Sequence, residues 1–246
     1  MDRVLYVAMS GAKETALAQA TNANNLANLN TSGFLADLNQ ARAMPLFGPG
    51  HPSRVYAMDE RHQIDFHRGT MQATGNDLDV AVQGDGFIAV RATDGTEAYT
   101  RRGDLRIDSN GMLTNGAGYA IIGDNGPIAL PPEAKIEIGG DGSITIKPQG
   151  SEADALAVVD RIKLVKPPTS ELIKGEDGLL RSRSNNPVPA SAEVGVTKGI
   201  LEGSNVSSVN SLVTMIDLAR RYEFQVKLME NAQQNDQSAT SLLRTF

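Results

Sequence analysis

The sequence predicts an α+β protein in which a discontinuous α-helical coiled-coil domain, made from both chain ends, flanks a central mainly-β domain. Three observations carry this prediction. Heptad-spaced stripes lie near the two termini, and the middle alternates with period two between Gly-rich turns. No long helical pattern separates the candidate strands, which disfavours a Rossmann or barrel enzyme.

Residues 1–34 are expected to supply the N-terminal helix of that domain. Leu5, Met9, Ala12, Ala16, Gln19, Ala23 and Leu26 are spaced 4, 3, 4, 3, 4 and 3, a stripe of mostly small residues. Such residues allow close helix approach but bury little apolar area, so the helix would be weak alone in water. Thr31-Ser32-Gly33 reads as a stop signal.

Residues 35–75 fit neither periodicity and are expected as an extended connection, interrupted by Pro45, Gly48, Pro49, Gly50 and Pro52. The central β-rich domain is assigned to 76–190. Leu78–Val82, Phe87–Val90, Glu97–Thr100, Tyr119–Ile122 and Arg161–Val165 read as strands. Asn110-Gly111 between Leu105–Ile107 and Met112–Thr114 predicts a hairpin, as does Gly139–Ser143 between two Ile-x-Ile runs. A return linker follows at 191–204, and 205–246 supply the C-terminal helix, expected over about 207–235. Leu212, Met215, Ala219, Tyr222, Val226 and Met229 repeat the heptad spacing, and Asn205, Ser207 or Ser208 is positioned to cap the start.

The 246 residues carry 23 Lys plus Arg against 29 Asp plus Glu, a net charge of −6 that argues against a nucleic-acid footprint. Cys is absent, which removes disulfides, thiol catalysis and thiolate metal sites. No apolar run is long enough to suggest membrane insertion. Met1-Asp2-Arg3 opens into a mixed segment without the apolar centre of a secretory signal, so signal-peptide export is not expected.

Catalytic chemistry is equally thin. His51, His62 and His67 match neither face of a helix nor one side of a strand, and are read as ordinary loop residues. Acid pairs such as Asp77/Asp79 and Asp104/Asp108 stand beside turns, where capping is expected. Asp108–Gly111 lacks the full twelve-residue calcium loop, and Gly84-Asp85-Gly86 lacks the third glycine of a dinucleotide fingerprint. Arg101-Arg102 and Arg181/Arg183 are read as solvated faces or intersubunit salt bridges. No enzyme, cofactor or metal is expected. A cell-envelope binding module is the competing class, but its aromatics, Phe87, Tyr99 and Tyr119, are scattered along the chain.

Two segments carry a resemblance. The run Asn24-Asn25-Leu26-Ala27-Asn28-Leu29-Asn30-Thr31, closed by Ser32-Gly33-Phe34, resembles the "NNLAN…T.GF" signature of flagellar rod, hook and hook-associated axial proteins. Leu201-Glu202-Gly203-Ser204-Asn205-Val206 resembles their "LE.SNV" signature, and Gly75–Phe87 is similar to the entry of their central domain. The likeness covers essentially the whole chain and, within the family, is greatest for proximal rod subunits; a distal rod subunit and an accessory envelope-binding module are the alternatives.

The resemblance implies a torque-transmitting structural subunit of the basal-body rod, within the periplasm. Other rod subunits, proximal and distal, are the implied partners, with transient contact to the flagellar type III export apparatus. It implies an assembly interface of Leu5, Met9, Ala12, Ala16, Ala23, Asn24, Asn25, Leu26, Asn28, Gly33 and Phe34, with Asn205, Val206, Leu212, Met215, Ala219, Tyr222, Val226 and Met229. Local capping by Gly33 and Asn205, and packing of the C-terminal heptads within one chain, are the competing readings of those residues.

Overall fold

The computed structural model describes residues 4–47, 54–60, 63–131, 133–148 and 157–243. The chain folds into two compact units. One combines both termini with residues 36–65; the other comprises 30–35 and 66–205.

In the first unit, α1 (Val4–Ala27) and α2 (Ser208–Leu243) are 24 and 36 residues long, about 36 and 54 Å at 1.5 Å per residue. Asn22 Nδ2 donates to the Ser211 carbonyl at 2.8 Å, Gln225 lies against Gly11, and Leu5 shares a cleft with Ala232. That order makes the pair antiparallel. The Asn210 N–H donates to Ser207 Oγ at 3.4 Å, so Ser207 caps α2. The helix continues past the expected end near 235. At the close of α1, Asn28 Nδ2 donates to the Asn24 carbonyl at 3.0 Å and satisfies a terminal acceptor.

The tract expected as a connection contributes four short strands to this unit: β1 (Asp37–Leu38), β2 (Ala41–Pro45), β3 (Val55–Asp59) and β4 (Gln63–Ile64). β1 pairs with β4 and β2 with β3, both antiparallel. The Ala57 N–H donates to Ser10 Oγ at 3.4 Å, which places β3 on α1. Asn25 brackets Asp37, donating to its carbonyl at 2.8 Å and accepting from its N–H at 2.9 Å.

The second unit carries β5 (Met71–Ala73), β6 (Val80–Val82), β7 (Phe87–Arg91), β8 (Glu97–Thr100), β9 (Leu105–Ile107), β10 (Leu113–Asn115), β11 (Ala120–Gly123) and β12 (Gly126–Pro127). It continues with β13 (Glu133–Ile138), β14 (Ser143–Pro148), β15 (Ala157–Arg161), β16 (Leu164–Val165), β17 (Leu172–Lys174), β18 (Leu180–Ser182), β19 (Val196–Lys198) and β20 (Ile200–Glu202). The main sheet runs β17-β18-β8-β7-β11-β10-β9, with β12 on β11 and β16 on β7.

Both expected hairpins form. β9 pairs with β10 across Asp108–Gly111, where Gly111 takes φ +77°. β13 pairs with β14 in the register Ile136↔Ile146 and Ile138↔Ile144. The strand expected over 161–165 is instead split between β15 and β16. β5 and β6 pair with β20 and β19, joining residues more than a hundred positions apart. The core is aliphatic and closed: Val82, Ile88, Leu105, Leu113, Ile121 and Ile144 are buried together. Each such side chain contributes about 1.5–3 kcal/mol.

Candidate assembly surface

Each helix of the terminal unit has two faces, and their chemistry is the reverse of a self-contained bundle. On α1 the buried positions are Ala8, Ala12, Glu14, Thr15, Asn22 and Asn25, all small or polar. Its large apolar residues point outward, with Leu5 40% exposed, Tyr6 56% and Met9 54%. On α2 the buried positions are Ser211, Leu218 and Ala232, whereas Val209, Leu212, Val213, Ile216 and Phe224 are more than half exposed. The β2–β3 hairpin adds exposed Met44, Leu46, Phe47, Val55 and Met58. Apolar surface in runs of this kind marks interaction sites.

The residues expected at an interface are therefore divided. Leu5, Met9, Ala16, Ala23, Asn24, Leu212 and Tyr222 are exposed on the helices. Ala12 and Asn25 are buried within the unit, while Leu26, Asn28, Met215, Ala219, Val226 and Met229 are half-buried. Outside the expected set stand Val4, Tyr6, Val209, Val213, Ile216 and Phe224. Their signal was present: Val209, Leu212, Val213 and Ile216 follow the i, i+3, i+4, i+7 spacing of one helix face.

Gly33, Phe34 and Asn205 meet in the β unit, at a junction between the two signature segments. The Gly33 N–H donates to the Glu202 carbonyl at 2.7 Å, and the Asn205 N–H donates to the Phe34 carbonyl at 3.3 Å. Asn205 Nδ2 donates to the His67 carbonyl at 3.0 Å. Phe34 lies under the Lys174 ammonium, 4.0 Å from its ring centroid. Gly33 stands in a turn six residues beyond α1, so it is not that helix's cap. Its φ is +64°, and an added β-carbon would stand 2.3 Å from the Arg101 backbone.

Beneath this junction lies a buried ion pair. Arg101 Nε donates to Glu202 Oε2 at 2.9 Å, with side chains 2% and 1% exposed. The same guanidinium donates to the Gly84 carbonyl at 3.0 Å and lies 5.6 Å from the Phe87 ring centroid. Glu202 Oε1 accepts from the Gly69 N–H at 3.2 Å. Arg101, read from the sequence as part of a solvated face or an intersubunit salt bridge, is instead buried within the chain, where Glu202 supplies the compensating charge. Alongside, Arg102 grips Asp104 with two bonds of 2.7 and 2.9 Å, and Ser32 Oγ donates to Asp104 at 3.2 Å. Burial alone would raise the Asp104 carboxyl, but Arg102 and Ser32 outweigh it and hold the group below its usual 3.8.

Among the described residues no three His, Asp or Glu side chains gather as metal ligands, and no helix is long and apolar enough to cross a membrane. His51 and His62 lie outside the described residues. Phe87 and Tyr99 are buried in the β core, so they line no groove.

Three family descriptions match the chain in chain order. "Flagella basal body rod protein" covers residues 5–34, "Flagellar hook protein FlgE/F/G D1 domain" covers 81–146, and "Flagellar basal body rod FlgEFG protein C-terminal" covers 197–242. Among full-length relatives, "Flagellar basal-body rod protein FlgF" of Escherichia coli is 41% identical, with 99% of both chains aligned. The protein of that name from Salmonella typhimurium is 37% identical over 99% of each. "Flagellar basal-body rod protein FlgG" of Borreliella burgdorferi is 34% identical over 94% of this chain and 95% of its own. With terminal helices, signature junction and β body all accounted for along its length, the chain belongs to the flagellar basal-body rod protein family.

Proposed function

We propose that this chain is a structural subunit of the proximal rod of the bacterial flagellar basal body, in the periplasm, where it helps carry torque. The observation that carries this reading is the outward placement of Leu5, Tyr6, Met9, Val209, Leu212, Val213, Ile216 and Phe224 on two helices whose buried positions, Leu218 apart, are small or polar. Those faces pack in coiled-coil fashion against helices of neighbouring rod subunits, proximal and distal. The residues expected above between Leu5 and Phe34 and between Asn205 and Met229 contribute the interface, and delivery runs through transient contact with the type III export apparatus. The full-length alignment with relatives named as FlgF supports the proximal position.

The physical logic is mass action. A helix pair that buries little within one chain gains its stability when neighbours cover its outer face. Mass spectrometry of detergent-extracted basal bodies from a parent strain and a strain lacking the chain tests the role. The expected result is several copies in parental basal bodies and no mature rod or hook in the deletion strain. Complete hook–basal bodies without the chain would refute it.

A further inference from the structure

The terminal unit holds a cleft of about 490 Å³ walled by α1, the β1–β2 segment and α2. Glu14 lines it and is only 8% exposed, yet its Oε2 atom has no hydrogen-bond partner. Asn39 Nδ2, in the same cleft, is also buried without a partner. A buried carboxylate is costly unless paired, so an orphaned one on an otherwise ordered helix calls for a donor. Within the chain the nearest basic lining residue is Arg221, which stands exposed and makes no bond to Glu14 Oε2.

We propose that this cleft receives a cationic side chain, lysine or arginine, presented by a neighbouring rod subunit. The inference rests on the rod-subunit reading and deepens it by giving one contact its chemistry. A single orphaned carboxylate oxygen suits an N–H donor, whereas a divalent ion needs six or more oxygens, and no such cluster stands here among the described residues. Thr214 and Leu218 of α2 also line the cleft. Arrival of the cation converts an unpaired buried charge into a pair, so the site favours the assembled state over the free chain.

The test compares copies per basal body for the wild-type chain and for Glu14→Gln, Glu14→Lys and Arg221→Gln, alongside thermal melting of each free full-length protein. Glu14→Gln keeps the shape and removes the charge. The expected result is a loss of incorporation of three-fold or more, with melting unchanged or raised. Glu14→Lys should lose at least ten-fold, and Arg221→Gln should incorporate as wild type. Normal incorporation of Glu14→Gln and Glu14→Lys would overturn the proposal while leaving the rod reading intact. An equal loss from Arg221→Gln would overturn it too, by making Arg221 the partner. Absence of the wild-type chain from basal bodies would instead remove the rod reading itself.

Discussion

The β unit and the helical unit use their apolar residues in opposite ways. In the β unit Ile88, Leu113, Ile121 and Ile144 are wholly buried, and Arg101 and Glu202 neutralise each other inside it. In the helical unit the buried positions of α1 include Ala12, Thr15, Asn22 and Asn25, met by Ser211, Leu218 and Ala232 of α2, while Tyr6, Met9, Leu212 and Ile216 face out. Orphaned polar atoms follow the same division. Among the described residues Glu14, Asn39 and Gln225 each leave one buried atom unpartnered in the helical unit, against Asn115 alone in the β unit. The β unit closes its core within the chain, whereas the helical unit leaves many of its large apolar side chains on the surface.

Breaking the buried ion pair should separate the two most sharply. Arg101→Met leaves Glu202 charged and unpaired, and is expected to cost the β unit about 3–5 kcal/mol in a chemical denaturation curve. A loss under 1 kcal/mol would show that the junction is not held by this pair. Ile121→Ala should follow with about 2–4 kcal/mol from transfer and cavity terms. Its counterpart on the helices behaves in reverse. Leu212→Asp or Val226→Asp should leave the melting of the β unit unchanged yet reduce incorporation into basal bodies ten-fold or more, read by quantitative mass spectrometry.

Two smaller effects sharpen the contrast through pH. Burial pushes the Tyr99 phenol up to about 12 from its usual 10.0, and its oxygen accepts from the Val188 N–H at 2.8 Å. The neutral phenol is the form the fold holds. Its contribution is therefore present below pH 10 and lost as pH rises toward 12, and Tyr99→Phe should flatten that alkaline fall. Asp104 has the opposite sign. Its carboxyl is held below the usual 3.8, so its contribution is present above that pH and lost on acidification through the lower folded value. Asp104→Asn should remove this part of the acid transition. Both limbs belong to the β unit and should appear in its tryptophan-independent signals, far-ultraviolet circular dichroism of strands or amide exchange.

Much of this contrast was legible in the sequence, but not which face of each helix turns inward. The helices, the two Gly-turn hairpins and the aliphatic β core follow from local periodicity. The helical phase does not. The single stripe of Leu5, Met9, Ala12, Ala16, Ala23 and Leu26 does not separate the two faces of α1: Leu5, Met9, Ala16 and Ala23 are exposed and Leu26 half-buried, whereas Ala12 turns inward with Ala8, Thr15, Asn22 and Asn25. In a subunit that assembles, the larger apolar residues are free to face the neighbour. β5, in the tract expected as a connection, was hidden because its partner is non-local: it takes its register from β20, far along the chain. Arg101 was misplaced for the same reason, since Glu202, the residue that permits its burial, is 101 positions away.

Hydrogen exchange, read by mass spectrometry on the chain free in solution and within isolated basal bodies, tests the central claim most directly. The account predicts that protection rises on assembly in Val4–Ala27, Ser208–Leu243, Ala41–Pro45 and Val55–Asp59, while strands such as Phe87–Arg91 and Ala120–Gly123 are equally protected in both states. Equal protection of the helices in both states, or a gain confined to the β strands, would contradict it.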